Sequence, residues 1–314
     1  MYTRKLVKSG LSSHTVALPQ EFIKDNNLER GNTVYLERKG PSTLIISAQP
    51  EKKEKEKSVK VIEVGNRPLN HIQSDIIKAY VNNHKEIIVK LNSSVKAQEI
   101  KKYINSLVAL EVVQEDNEKI VAKDFLNYED KEIERTLRRI EHMVCSMIMD
   151  LKNIENNEAA QVIVERDKEV NRLGFLVMRI LQVASTDPAL AANLRLDTLN
   201  TMRLWSVNMH LEKIGDDAKR IARLIVHINK PQTKKLHSIL DQVLLNYKDT
   251  FTAIHNNEIT KMDENLDRRF EIMKELDAFV GANPTATISE TMSLLKQMLS
   301  HLTDINRVYR YCSN

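Results

Sequence analysis

The sequence predicts a chain of three folded parts: a small β-rich N-terminal domain, an α/β middle domain and an all-α C-terminal half made of two tandem three-helix bundles. Three observations carry this prediction. The C-terminal half repeats itself, at an offset of 96 residues over its second helix and of 91 residues over its third. Apolar residues alternate near the N-terminus but are spaced by three and four beyond residue 128, and a charged run separates the first two parts.

Residues 1–48 have the pattern of short strands with one helix. Alternating apolar residues predict the strands, and Pro19 stands where the first turn of a helix favours proline. A β unit of this size has open strand edges and little core, so we expect it to form a homodimer with a second copy. The predicted elements are strands 3–9 and 14–18, a helix 19–26, and a hairpin of strands 33–38 and 43–47.

A charged linker and an α/β segment follow. Residues 49–57 are dominated by alternating lysines and glutamates and are predicted to be a solvated linker. Residues 58–127 alternate between strand and helix patterns, and we expect a ferredoxin-like sandwich that serves as a spacer or a dimerisation module. The predicted strands are 59–64, 86–91, 111–114 and 119–122, and the predicted helices are 72–82 and 97–107.

The helical half divides into two copies of one unit, 128–230 and 231–314. Apolar residues spaced by three and four form a seam along the second and third helices of the first copy, which is typical of bundle packing. The predicted helices are 129–153, 158–184 and 196–229, then 232–256, 258–280 and 286–312. The repeat aligns Asp167 with Asp263, Val170 with Leu266, Ile180 with Leu276 and His210 with His301.

The composition is typical of a helical cytoplasmic protein. Only 7 Gly and 7 Pro occur in 314 residues, and 2 Cys are too few for a disulfide framework or a zinc site. The N-terminus lacks a secretory signal and no apolar run reaches membrane length, so we expect no membrane insertion. The sequence contains no Gly-rich phosphate loop, Ser/His/Asp arrangement or zinc motif, so the chain is predicted not to be an enzyme.

Two pairs of polar residues in the first copy are candidates for a metal site. Glu212 and Asp216 are four residues apart and so lie on one helical face, and Asp167 and Asn171 have the same spacing on the preceding helix. Three carboxylates and an amide are oxygen ligands for a hard cation such as Mg²⁺, Mn²⁺ or Fe³⁺. Both pairs lie away from the apolar seam, and the alternative is that they are ordinary solvated side chains.

The histidines of the helical half form no metal motif in the sequence. His142, His210 and His301 lie on predicted helices without paired ligands nearby in the chain. We therefore predict that all three are polar side chains at the surface.

The residues around Glu212 resemble a known family. The segment Leu211–Ala218, which reads Leu-Glu-Lys-Ile-Gly-Asp-Asp-Ala and is followed by Ile221 and Ala222, is similar to the signature of the PhoU family of phosphate-uptake regulators. The resemblance covers about 185 residues. It implies a three-helix bundle repeated twice, whose acidic E/D-x-x-x-D motifs hold clusters of iron, zinc, manganese or magnesium on the bundle surface.

The resemblance carries over to six metal-binding positions. In the second copy Thr303 and Arg307 align with Glu212 and Asp216, so that copy retains half of the motif. The implied ligands are Asp167, Asn171, Glu212 and Asp216 in the first copy and Asp263 and Asp267 in the second.

The N-terminal domain resembles a second family, the AbrB/MazE/SpoVT swapped-hairpin domains. The similar segments are Lys8-Ser9, Ser12-Ser13, Val16-Ala17-Leu18-Pro19 and Leu28-Glu29-Arg30-Gly31-Asn32, followed by a hairpin. Such domains dimerise by interleaving strands and bind DNA through basic residues of the N-terminal strands. Ala17 replaces an arginine of some relatives, but phosphate contacts from lysine and arginine remain. The implied DNA-binding residues are Arg4, Lys5, Lys8, Ser12, Ser13 and His14.

Together the two resemblances imply a DNA-binding transcriptional regulator of phosphate uptake, an arrangement associated with archaeal regulators. The helical half would sense phosphate status through a metal cluster or a partner protein. The alternative is an adaptor that docks on a phosphate transporter ATPase or a signalling kinase, with the N-terminal domain used mainly for dimerisation. A metal-dependent phosphohydrolase would have the ligands but no evident nucleophile or base.

Overall fold

The structure is a computed structural model that describes residues 2–10, 13–38, 43–48, 59–92, 97–127 and 132–311. The chain divides into two units, residues 1–56 and residues 57–314. The predicted linker 49–57 and the predicted DNA-binding residue Ser12 lie outside the described residues.

The described residues of the first unit form two antiparallel strand pairs and one short helix. The predicted strands and helix are confirmed, but the first two strands are shorter than predicted because their ladder ends at the pair Val7 and Thr15. The elements are β1 (Val7–Ser9) paired with β2 (Ser13–Thr15), α1 (Gln20–Asp25), and β3 (Tyr35–Arg38) paired with β4 (Leu44–Ser47).

The first unit has no buried residue among those described. Leu6, Val7, Leu36 and Leu44 are large apolar side chains that are each more than half exposed. Two-stranded ribbons with apolar faces are marginal when nothing covers them. Within one chain, the described part of this unit therefore lacks the buried apolar area that a stable fold needs.

The second unit begins with a four-stranded mixed sheet covered by two helices. The strands lie in the order β5-β6-β8-β7, and Ile72, Ile76, Ile100 and Ile104 of the helices are fully buried in its core. The strands are β5 (Val59–Glu63), β6 (Glu86–Lys90), β7 (Leu110–Glu115) and β8 (Lys119–Asp124), and the helices are α2 (Leu69–Val81) and α3 (Ala97–Asn105).

The prediction of a ferredoxin-like sandwich is wrong. A ferredoxin-like fold follows the order β-α-β-β-α-β, whereas this segment follows β-α-β-α-β-β. As a result β5 and β6 are direct parallel neighbours joined by α2, and β7 and β8 form an antiparallel hairpin at the other edge. The order of the elements, which the sequence already contains, excludes the interleaved topology.

Six long helices fill the rest of the second unit, as predicted. A short helix, α6, lies between the predicted helices 158–184 and 196–229, where we predicted no helix. It begins at Pro188, a favoured first residue of a helix, after Asp187, which accepts from the amide of Leu190. The helices are α4 (Glu132–Asp150), α5 (Asn157–Thr186), α6 (Pro188–Asn193), α7 (Thr198–Ile225), α8 (Lys230–His255), α9 (Ile259–Ala282) and α10 (Ala286–Tyr311).

The two three-helix bundles share one hydrophobic core among the described residues. The first bundle consists of α4, α5 and α7, and the second of α8, α9 and α10. They meet where α7 packs against α10 and α4 packs against α8. The repeat-equivalent residues Leu211 and Leu302, and Ile214 and Ile305, are all essentially fully buried. None of the described helices has an apolar stretch long enough to cross a membrane.

A buried arginine fastens the sheet to the first bundle. Arg179 of α5 is fully buried and forms an ion pair with the equally buried Asp124 at 2.7 Å. Its guanidinium also donates to the Asn83 side chain at 2.7 Å and lies 4.5 Å from the ring centroid of Tyr80. Lys85 makes a second ion pair with Asp124 at 2.9 Å. The middle domain is therefore held against the bundle by an ion pair, Arg179 with Asp124, whose two side chains have no access to water.

Candidate functional site

The predicted metal ligands of the first copy lie along the boundary between α5 and α7. We expected both pairs on the polar faces of their helices, but Asp167 is buried, with 3% of its surface exposed. Asn171, Glu212 and Asp216 are half-buried. Gly215 of α7 faces the buried carboxylate, since a Cβ at this position would lie 3.7 Å from Asp167 Oδ1. These four residues, called the acidic cleft below, therefore lie at the contact between two helices instead of on a fully solvated face.

A lysine occupies the centre of this acidic group. Lys219 donates to Asp167 Oδ2 at 2.8 Å and also makes an ion pair with Asp216. Burial alone would lower the pKa of Lys219, but the hydrogen bonds to the two carboxylates outweigh it and raise the pKa above its ordinary value. Sequence reasoning missed this lysine, although its position three residues after Asp216 places the two on one helical face.

Two oxygen atoms of this acidic group have no hydrogen-bond partner and could coordinate a cation. Asp167 Oδ1 and Asn171 Oδ1 are buried and have no hydrogen-bond partner. Burial, and then the nearby charges of Asp216 and Asp167, raise the pKa of Glu212. These features indicate a concentration of negative charge that one lysine only partly neutralises. Carboxylate and amide oxygens are the ligands that a hard cation prefers, and Lys219 occupies one oxygen of Asp167 and one of Asp216.

The second copy contains an equivalent acid–base pair but no acidic cleft. Asp263 forms an ion pair with Arg310, and these residues are the repeat equivalents of Asp167 and Lys219. Asp267 is exposed. The duplicated feature is therefore the ion pair between the second and third helices, whereas Glu212 and Asp216 have no acidic counterpart in the second copy.

Two histidines that we predicted to be isolated surface residues lie against each other. His210 of α7 and His301 of α10 are half-buried, and their Nδ1 atoms are 3.2 Å apart. Asp304 lies beside them, and one ligand atom from each of the three residues lies within 4.8 Å of the others. The prediction of a surface position is wrong for both residues. The repeat, which aligns His210 with His301, was the signal that could have predicted this contact, because equivalent faces of α7 and α10 meet where the two copies pack.

The environment of this pair keeps both imidazoles neutral near pH 7. Burial lowers the pKa of His210. Burial and the neighbouring His210 lower the pKa of His301 to about 4. Behind His301, Asp217 Oδ2 lies 3.9 Å from Nε2, and burial raises the pKa of Asp217 to about 6. His142, the third predicted surface histidine, is exposed as expected.

The predicted DNA-binding residues lie on the first strand pair and the segment before it. Lys8 and His14 are cross-strand partners, and Ser9 pairs with Ser13. Arg4 donates to the carbonyl oxygen of Thr3, and its guanidinium lies 5.9 Å from the ring centroid of Tyr2. Every predicted DNA-binding residue that is described, including Lys5, is exposed.

The helical half is an all-helical domain of repeated three-helix units, and part of it matches a known family. Residues 133–225, which include most of α4 and all of α5 to α7, match the family described as the PhoU domain. The first bundle is therefore of the PhoU type, and the resemblance predicted from Leu211–Ala218 is confirmed for this bundle. No curated protein matches the chain.

Two crystal structures of PhoU proteins are similar to the chain. PhoU from Pseudomonas aeruginosa gives a TM-score of 0.47 and 17% sequence identity over 58% of this chain and 95% of that chain. The phosphate transport system regulatory protein PhoU from Streptococcus pneumoniae gives a TM-score of 0.47 and 16% identity over 58% of this chain and 94% of that chain. The N-terminal resemblance stays a prediction.

The two repeat-equivalent ion pairs should differ in their contribution to stability. Asp167→Ala should lower the free energy of unfolding by about 3 kcal/mol, because it leaves a mostly buried lysine short of a partner. Asp263→Ala is the matched control and should cost less than about 1 kcal/mol, because both partners in its ion pair are well exposed. Urea unfolding monitored by circular dichroism measures both. Equal losses would contradict the structural difference between the copies.

Proposed function

We propose that this chain is a DNA-binding regulator of phosphate uptake. The observation that carries the link to phosphate uptake is the PhoU domain match over residues 133–225, and DNA binding is proposed from the N-terminal resemblance. In this proposal the helical half senses phosphate status, through a bound metal or a partner protein, and the N-terminal unit dimerises and binds DNA. The output is control of the genes for phosphate transport.

The proposed dimer is supported by the exposed apolar residues of the N-terminal unit. Leu6 is 69% exposed and Leu36 is 60% exposed, and the unit has no buried residue among those described. A second copy can supply the missing cover by pairing strands at open edges, as swapped-hairpin domains do. The dimer would also place two basic strand pairs on one duplex.

The proposed DNA contacts are electrostatic. Arg4, Lys5 and Lys8 are exposed and close in sequence, so they can neutralise neighbouring phosphates. Ser13 and His14 lie on the partner strand and can donate to phosphate oxygens. The predicted result is binding whose strength depends on salt and whose orientation is fixed by the backbone of the DNA.

The proposed metal site of the first copy consists of Asp167, Asn171, Glu212 and Asp216. Its support is the oxygen-rich cleft and the two buried oxygens that lack partners. A bound cation would supply the positive charge that Lys219 supplies otherwise. The second copy keeps only Asp263 and Asp267 of its motif, and Arg310 already pairs with Asp263.

Charge reversal tests DNA binding. The triple variant Arg4→Glu/Lys5→Glu/Lys8→Glu should weaken binding to duplex DNA from phosphate-transport promoters at least about a hundredfold at low salt, because each lost phosphate contact removes counterion release. The salt dependence of the affinity should also become shallower. Lys168→Glu/Lys261→Glu/Lys274→Glu, which changes the net charge equally on exposed helical positions, should bind like the wild type. Fluorescence anisotropy measures these affinities.

A negative result in this experiment would favour the competing function, an adaptor. If the wild-type chain has no affinity for DNA at low salt, the regulator proposal is wrong. Capture of a phosphate transporter ATPase or a signalling kinase by that same protein would then support an adaptor role. Equal weakening by both triple variants would show a non-specific charge effect and would also contradict the proposal.

The metal proposal is tested by removing either the ligands or the competing lysine. Elemental analysis should show that Glu212→Ala/Asp216→Ala loses bound iron, zinc, manganese or magnesium relative to the wild type. Lys219→Met should bind Mn²⁺ at least about tenfold more tightly, because the cation no longer displaces an ammonium group from Asp167 and Asp216. Equal metal content in the wild type and the double variant would contradict the site.

A further inference from the structure

We propose that His210, His301 and Asp304 form a second metal site, for a borderline divalent cation such as Zn²⁺, where the two three-helix bundles meet. This site is separate from the acidic cleft and uses none of its residues. It goes beyond the proposed function, since neither DNA binding nor the PhoU-type motif requires it.

The distance between the two imidazoles matches two ligands of one ion. Zinc binds histidine nitrogen at about 2.0–2.1 Å. An ion at that distance from both Nδ1 atoms, which are 3.2 Å apart, would subtend a nitrogen–metal–nitrogen angle of about 100°, close to tetrahedral. Without metal, the same separation lets one Nδ1 donate a hydrogen bond to the other. The ion would therefore replace a shared proton with little change in the distance between the two nitrogens.

The third ligand is placed by helical spacing. Asp304 follows His301 by three residues on α10, so both side chains lie on one face, and its carboxylate is within 4.8 Å of the histidine nitrogens. Pairs of a carboxylate and a histidine at this spacing hold metals in other helical bundles. Two imidazoles and one carboxylate leave a fourth position for water.

A carboxylate behind His301 completes the arrangement. Metal-binding histidines commonly direct their second ring nitrogen at a carboxylate, which fixes the tautomer. Asp217 Oδ2 is buried, has no hydrogen-bond partner, and lies 3.9 Å from His301 Nε2. With Nδ1 on the metal, Nε2 carries the proton and faces this charge. Asp217 is thus a positioning residue that favours the metal-binding tautomer.

Two cations near the site oppose metal binding and set its strength. Lys213 follows His210 by three residues on α7, as Asp304 follows His301 on α10, so its positive charge lies on the face of α7 that carries His210. Arg307 lies 3.6 Å from Asp304. The two copies therefore contribute a histidine each, but only the second contributes a carboxylate. Replacing Lys213 with aspartate would give the first copy the same pair of histidine and aspartate as the second, and it should strengthen the site.

The test uses the full chain without an affinity tag, after treatment with a chelator. Titration with Zn²⁺ by calorimetry, and with Co²⁺ by visible absorption, should give one site that depends on His210 and His301. His210→Gln and His301→Gln should each weaken it at least about tenfold, whereas the exposed control His142→Gln should leave it unchanged. Glu212→Ala/Asp216→Ala should also retain it, which separates this site from the acidic cleft.

The positioning residue and the opposing lysine give independent readouts. Asp217→Asn should weaken Zn²⁺ binding by about tenfold. Lys213→Asp should strengthen it by at least about tenfold and raise the thermal midpoint in the presence of Zn²⁺, because the ion then joins two complete halves. The proposal is overturned if the wild type binds neither ion, if both histidine variants bind like the wild type while folded by circular dichroism, or if Lys213→Asp weakens binding.

Discussion

The packing of α7 against α10 is the contact on which the helical half depends. Leu211, Ile214, Leu302 and Ile305 are all essentially buried where the two copies meet, and burying each such side chain stabilises the fold by about 1.5–3 kcal/mol. Because of this contact, the two bundles share one core instead of standing as separate domains. It also decides which polar residues are brought together, since repeat-equivalent residues on the packed faces, such as the histidines, approach each other.

Duplication preserved the framework and let the polar residues diverge. Each copy keeps an ion pair between its second and third helices, Asp167 with Lys219 and Asp263 with Arg310. Only the first copy adds the carboxylates of an acidic cleft, and it is this copy that matches the PhoU domain. The buried Arg179 fastens the sheet to the same copy. The first bundle is thus in direct, buried contact with the middle domain.

Periodicity was sufficient to predict the six long helices and the strands, because apolar spacing reports directly on which face is buried. The predicted order of strands and helices in the middle domain already excluded the ferredoxin-like fold that we assigned to it. The order of the strands within the sheet depends on long-range pairing, which periodicity does not report. The acidic residues were predicted as a group, but the burial of Asp167 and the interposed Lys219 depend on how closely two helices approach. His210 and His301 were misassigned because a contact between residues 91 apart leaves no mark in local sequence.

Native-state hydrogen exchange tests most directly the central claim that the duplicated bundles form one cooperative core. The amides at the centres of α7 and α10 should exchange only by global unfolding, with the same free energy of opening and the same dependence on denaturant. Exchange from α8 to α10 at a clearly lower free energy than from α4 to α7 would contradict the account, since it would show that the second bundle opens while the first remains folded.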